Sequence, residues 1–212
     1  MDLRNALLAV ALVWLTASCS SGSTCRIKGT IDTQVDSVYL MKGGGGKLDV
    51  AAVENGTFTL SCAQDATLGV YVMHGQESNP IPLVPDSPEI LVKIEDGTVS
   101  VSGSPLSEEL QTLQQWMMNH FMSHNEKAMA LIGSGRQEEA DSLMQEMHKT
   151  MADHCKEVYL KHLDDPVGAQ AMTILRLELP EEEYGRLYKM GGECIHNDPM
   201  LSGQFECTPD NQ

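Results

Sequence analysis

Residues 98–110 read TVSVSGSPLSEEL, and the chain changes character inside them. TVSVS alternates β-branched and polar residues, the pattern of a half-buried strand. SPLSEEL is a helix start. Ser104 supplies an N-cap oxygen, Pro105 suits the first helical position, and Glu108 and Glu109 sit beside the positive end of the helix dipole. A strand hands over to a helix near residue 103, and the two sides of that point obey different periodicities.

Upstream, TCRIKGTI, SVYLMK, LDVAAV, TFTLSC, LGVYVMH, EILVKIE and TVSVSG are short runs rich in Val, Ile, Thr and Tyr, most of them alternating. Asn55-Gly56 and Asp96-Gly97 are two-residue hairpin signals. Gly43 to Gly46 is a longer connection. NPIPLVPDSP holds four prolines and reads as an edge strand or irregular crossing. Seven or eight strands in so short a segment predict an antiparallel β-sandwich.

Downstream, Leu106, Leu110, Leu113, Met117, Phe121, His124, Ala128 and Leu131 recur at helical spacing, and Gly133-Ser134-Gly135 ends the run. A second helix carries Ala140, Leu143, Met144, Met147, Met151, Cys155, Val158 and His162 on one face. The short connection predicts an antiparallel helical hairpin. Asp165-Pro166 opens a third helix through about Leu177, and Pro180 followed by three glutamates opens a fourth. The tail from Gly191 reads as irregular. The expected fold class is α+β, an N-terminal antiparallel β-sandwich followed by a helical hairpin and short C-terminal helices.

The N-terminus has a separate logic. Arg4, an apolar run from Ala6 to Leu15, and small residues Thr16, Ala17 and Ser18 have the order of an export signal. The run is about half the length a membrane-spanning helix needs. Cys19 follows directly and resembles the lipidated cysteine of a bacterial lipobox, with Thr16 where an aliphatic residue is usual. The expected organisation is a signal peptide at 1–18, a tether at 19–23, a sandwich domain at 24–103 and a helical segment at 104–212. The net charge of −16 argues against nucleic acid, which is bound through clustered Lys and Arg. The expected partners are a membrane, through lipidated Cys19, and an envelope protein.

CRIKGTIDTQVDSVYLMKGGGGKLDVAAVENGTFTLSC and IPLVPDSPEILVKIEDGTVSVSGSPLSEELQTLQ together resemble a known family. The G-T-I, D-S-V-Y-L, N-G-T-F and V-S-G-S-P-L-S-E-E-L stretches are similar to the domain of unknown function numbered 4369 (DUF4369). DDPVGAQAMTILRLEL is similar to the helical segment that follows it there. The resemblance implies a lipoprotein of a Gram-negative cell envelope; the residues just after Cys19 lack an acidic cluster, so the periplasmic side of the outer membrane is expected before the cell surface. In many relatives this region precedes a thioredoxin-like thiol–disulfide oxidoreductase domain, which the sequence here is expected to lack, so no catalytic residues carry over.

Candidate chemistry is sparse. With Cys19 lipidated, Cys25, Cys62, Cys155, Cys194 and Cys207 remain, and no CxxC occurs. Cys194 and Cys207 are candidates for a loop staple, and Cys25 and Cys62 for a bridge within the sandwich. Cys155, on the apolar face of the second helix, reads as a buried thiol. His120 and His124 lie one helical turn apart. Folding the hairpin about Ser134 brings His148 toward them, among Met122, Met144, Met147 and Met151, a donor set suited to copper or zinc. GxSxG, HExxH and phosphate-loop motifs are absent from the sequence. The expectation is a non-enzymatic, lipid-anchored binding or interaction module without cofactors. The alternatives are an accessory member of a thiol–disulfide exchange system and a metal-binding His/Met hairpin.

Overall fold

A computed structural model describes residues 23–43, 45–74 and 80–202. Cys19, Cys207, the segment read as a signal peptide and residues 19–22 of the expected tether lie outside the described residues. Eight strands come first: β1 (Thr24–Ile31), β2 (Ser37–Lys42), β3 (Lys47–Ala52), β4 (Thr57–Ala63), β5 (Val70–His74), β6 (Ile81–Leu83), β7 (Glu89–Glu95) and β8 (Thr98–Ser102). They form two four-stranded sheets, ordered β4-β1-β7-β8 and β3-β2-β5-β6. Alternation builds them. Ile27, Leu40, Leu60, Val72 and Ile90 are each fully buried, and they share one core between the sheets.

Both turns form, but only Asp96-Gly97 closes a hairpin, β7–β8; Asn55-Gly56 closes the isolated Glu54–Thr57 bridge and carries the chain from β3 in one sheet to β4 in the other, because backbone turn chemistry does not decide which strands pair. Asn55 and Gly56 have φ of 52° and 73°, Asp96 and Gly97 50° and 72°, the paired positive values of a type I′ turn. The glycine of G-T-I is a packing requirement. Gly29 faces Phe58 across the β1–β4 ladder, and a Cβ there would lie 1.9 Å from the Phe58 ring.

One pairing departs from the expected antiparallel arrangement: β1 and β7 run parallel. Parallel neighbours need a crossover. Here the chain between them leaves β1, builds β2 and β3, returns for β4, and visits the other sheet again for β5 and β6. The four-proline stretch contributes the edge strand β6 and then, from Val84 to Pro88, the crossing.

The helices are α1 (Pro105–Gly133), α2 (Gln137–Lys161), α3 (Pro166–Glu178), α4 (Glu181–Tyr188), α5 (Glu193–His196) and α6 (Pro199–Ser202). The region from Gly191, expected to be irregular, thus contains two short helices, closed over the core by Ile195 and Leu201, both fully buried. In α1, Leu110, Leu113 and Ala128 face the core as expected, but Phe121 is 43% exposed. The α1–α2 seam is rotated toward Trp116 and His120, which leaves Phe121 on the rim. Cys155 is fully buried in the helical core, and burial pushes its thiol up to about 12.

Two polar knots lock the helices in place. The first joins α1 to the sandwich. Ser107 Oγ donates to the Val84 carbonyl (3.0 Å) and accepts from the Val84 N–H (2.9 Å), while Ser104 Oγ caps the Ser107 N–H and sits 2.6 Å from Ser107 Oγ. Both serines and Val84 are fully buried. One turn on, Gln111 accepts from Val101 N–H and donates to the Val99 carbonyl of β8.

The second knot joins three helices. His162, at the end of α2, is buried with Nε2 2.9 Å from Glu109 of α1 and Nδ1 2.8 Å from Asp165. Asp165 also caps α3, accepting from Val167 and Gly168 N–H. A Cβ on Gly168 would stand 1.7 Å from the His162 carbonyl oxygen, so only glycine lets α3 start this close.

Burial disfavours the charged His162 ring, but hydrogen bonds and charge from Asp165 and Glu109 outweigh it and raise its pKa. A raised folded pKa stabilises the fold below the unfolded value, about 6.5, and the contribution fades as pH rises through the folded value. Calorimetry of wild type and His162→Gln across this range should show a gap in Tm that is widest in acid and closes above neutrality. A gap that is constant or widens with pH contradicts this assignment.

Candidate functional site

The helical layer overhangs one end of the β3-β2-β5-β6 sheet, and the overhang creates a cleft. Its deeper part, about 580 Å³, lies between the β5–β6 end of the sheet and α3, α5 and α6. Among the described residues, four carboxylates border it, those of Asp65, Asp164, Glu193 and Asp198, against the single ammonium of Lys42. An adjoining groove of about 790 Å³ runs over the outer face of β2 and β5. The two spaces share Lys42, Gly43, Tyr71, Asp198, Pro199 and Met200.

The groove floor follows from strand register. Tyr39 and Met41 of β2 stand directly opposite Met73 and Tyr71 of β5. Their neighbours Val38, Leu40, Val70 and Val72 fill the sandwich core. Period-two alternation then sends the Tyr/Met set to the outside, where a solvated sheet carries polar residues. Two directly opposed Tyr/Met pairs make an apolar, polarisable floor. Lys47 Nζ lies 5.7 Å above the Tyr39 ring. Burial, and then the charge of Asp198, raise the Tyr71 phenol pKa. Burial likewise raises the Asp198 carboxyl, opposed by N–H donors from Met200 and Leu201.

The α5 wall is held by Asp164, whose Oδ1 accepts from the Cys194 N–H at 2.8 Å. Cys194 is half-buried in the cleft wall, with its Sγ 3.4 Å from the Thr67 carbonyl. Burial pushes its thiol up to about 12, with Asp165, Asp164, Asp198 and Asp65 adding to the rise. Its proposed partner Cys207 lies outside the described residues. Cys25 and Cys62 are brought together, opposite each other on β1 and β4.

Two of the three candidate metal ligands meet. His120 and His124 have ring centroids 4.2 Å apart, and His124 Nδ1 is 2.8 Å from the His120 carbonyl. His148 does not join them: its Nδ1 lies 2.9 Å from Glu178 of α3. The ring that enters the seam is His154, stacked on Trp116 at 3.8 Å while Trp116 also stacks on His120. Burial lowers the His154 pKa; Glu157 opposes this and Lys161 and His120 reinforce it. Met147 and Met151 are core residues, whereas Met122 is exposed. Among the described residues, no group of three or more His, Cys, Asp or Glu side chains is placed to hold a metal ion.

Sequence reasoning missed the groove, although a signal existed. SVYLMK and VYVMH carry large apolar residues on both faces, so neither strand can have a conventional solvent face.

An eight-stranded sandwich with a helical layer overhanging one sheet defines the class of molecule. Residues 25–110 match the family model of a domain of unknown function (DUF4369). The match covers the strands and the first turns of α1, including both serines of the buried knot. No curated protein and no solved structure matches the chain. Among the described residues, no helix is long and apolar enough to cross a membrane.

Proposed function

We propose that this protein is a non-enzymatic binding module of the bacterial cell envelope, anchored by lipid on Cys19. Its ligand occupies the groove over β2 and β5. The observation that carries the binding reading is the Tyr39–Met73 and Met41–Tyr71 floor, an apolar surface on the outer face of a sheet and roofed at one end by α6. Such a floor, continuous with a cleft bordered by carboxylates, suits a ligand with an aromatic or aliphatic body and a cationic or hydrogen-bond-donating end. The position of Cys19 after an apolar run and small residues supports the anchor.

Neutral N-phenyl-1-naphthylamine tests the groove directly. It is expected to bind the full chain saturably with enhanced fluorescence, and Tyr71→Ser with Met73→Ser should weaken binding roughly tenfold or more, as loss of two apolar contacts implies. Equal binding by wild type and the double variant contradicts the assignment. For the anchor, Cys19→Ser should move the protein from the detergent phase to the aqueous phase on expression in a Gram-negative host. Unchanged partition sinks that part of the reading.

A further inference from the structure

We propose that Cys25 and Cys62 form a reversible disulfide that staples β1 to the edge strand β4. This inference is independent of the ligand groove.

Three observations converge. The two residues are register partners in the antiparallel β1–β4 ladder. The phase of that ladder is fixed at both ends, by Gln64 N–H to the Ser23 carbonyl and by Ile31 N–H to the Gly56 carbonyl, both 2.8 Å. Counting from either end in steps of two makes 25 and 62 a hydrogen-bonded pair, whose Cα atoms sit about 5.5 Å apart. That Cα separation falls within the range disulfides span, and bond formation draws the two Cβ atoms together from the roughly 5.5 Å usual at such a pair, a local adjustment open to the end of an edge strand. Both side chains point to the inner face of the sheet, beside Ile27 and Leu60.

The other described cysteines have no such neighbour. Cys155 is fully buried in the separate helical core, and Cys194 lines the cleft.

The two thiols differ in the way exchange chemistry requires. Cys25 is fully buried, whereas Cys62 is partly exposed at the end of the edge strand. Burial raises both thiols, Cys25 to about 12, but the neighbouring Cys25 thiol works in the opposite direction on Cys62. Cys62 is therefore the attacking residue. As the thiolate, it attacks one sulfur of a small disulfide donor, whose S–S bond breaks to release one thiolate. Cys25 then loses its proton and attacks Cys62 Sγ, and the mixed S–S bond breaks to release the second donor thiolate. Two thiol protons leave, two electrons pass to the donor, and one new S–S bond remains.

The segment between the two cysteines includes β2 and β3, so the closed loop crosses both sheets. Closing it removes conformational freedom from the unfolded chain.

The test uses the full chain at about pH 8, incubated with oxidised glutathione, alkylated, and mapped by mass spectrometry. The expected result is a linked Cys25–Cys62 peptide, reversed by dithiothreitol, and a Tm raised by roughly 5–10 °C over the reduced form. Cys62→Ser, a near-isosteric change at a partly exposed position, should abolish both the linked peptide and the rise. Recovery of Cys25 and Cys62 as alkylated thiols overturns the proposal, as does a Cys62–glutathione adduct that goes no further. A linked peptide with unchanged or lowered Tm overturns the stapling role.

Discussion

Everything the helices do depends on how α1 leaves the sandwich, and that is set by two buried hydroxyls and one peptide unit. Ser104 and Ser107 satisfy both backbone groups of Val84 and cap the helix with the same atoms. A buried polar group without a partner costs about 1–3 kcal/mol, so this network tolerates one geometry and penalises the alternatives. Val84 belongs by packing to the helical core, although it directly follows the last strand of the second sheet. The sandwich and the helical layer are thus joined through a residue that serves both.

From this anchor the rest follows in sequence. Gln111 lays the second turn of α1 along β8. The hairpin returns as α2, and the Glu109–His162–Asp165 knot sets the angle at which α3 departs. The start of α3, with α5 and α6, then overhangs the β5–β6 end of the sheet, and the cleft is the space left beneath them. The cleft has an acidic margin because Asp164 and Asp198 serve the backbone there: one holds the Cys194 N–H, the other the start of α6.

Local chemistry was legible in the sequence wherever one or two residues decide the backbone. The Asp96-Gly97 hairpin, the Ser104–Pro105 helix start and the Asp165 cap of α3 form as read, whereas Asn55-Gly56 makes its turn between strands of different sheets. The parallel β1–β7 pairing was not legible, because alternation tells which face of a strand is buried but not which strand lies beside it. His148 was misplaced for a similar reason. Folding the hairpin about Ser134 fixes which turns face each other, but not which way α2 is rotated, and that rotation places His154 in the seam and His148 against Glu178. The groove needed register between β2 and β5 before its Tyr and Met residues could be seen as one surface.

Because Val84 is bonded to α1 and packed in the helical core at the end of β6, sandwich and helices are expected to fold as one cooperative unit. Native-state hydrogen exchange tests this most directly, by comparing the opening free energies of the Val84 amide, the Ile27 amide of β1 and the Leu175 amide of α3. One shared value, equal to the global stability of the chain, is expected. A helical layer whose amides open at markedly lower free energy, with Val84 exchanging alongside them and Ile27 still protected, would contradict it.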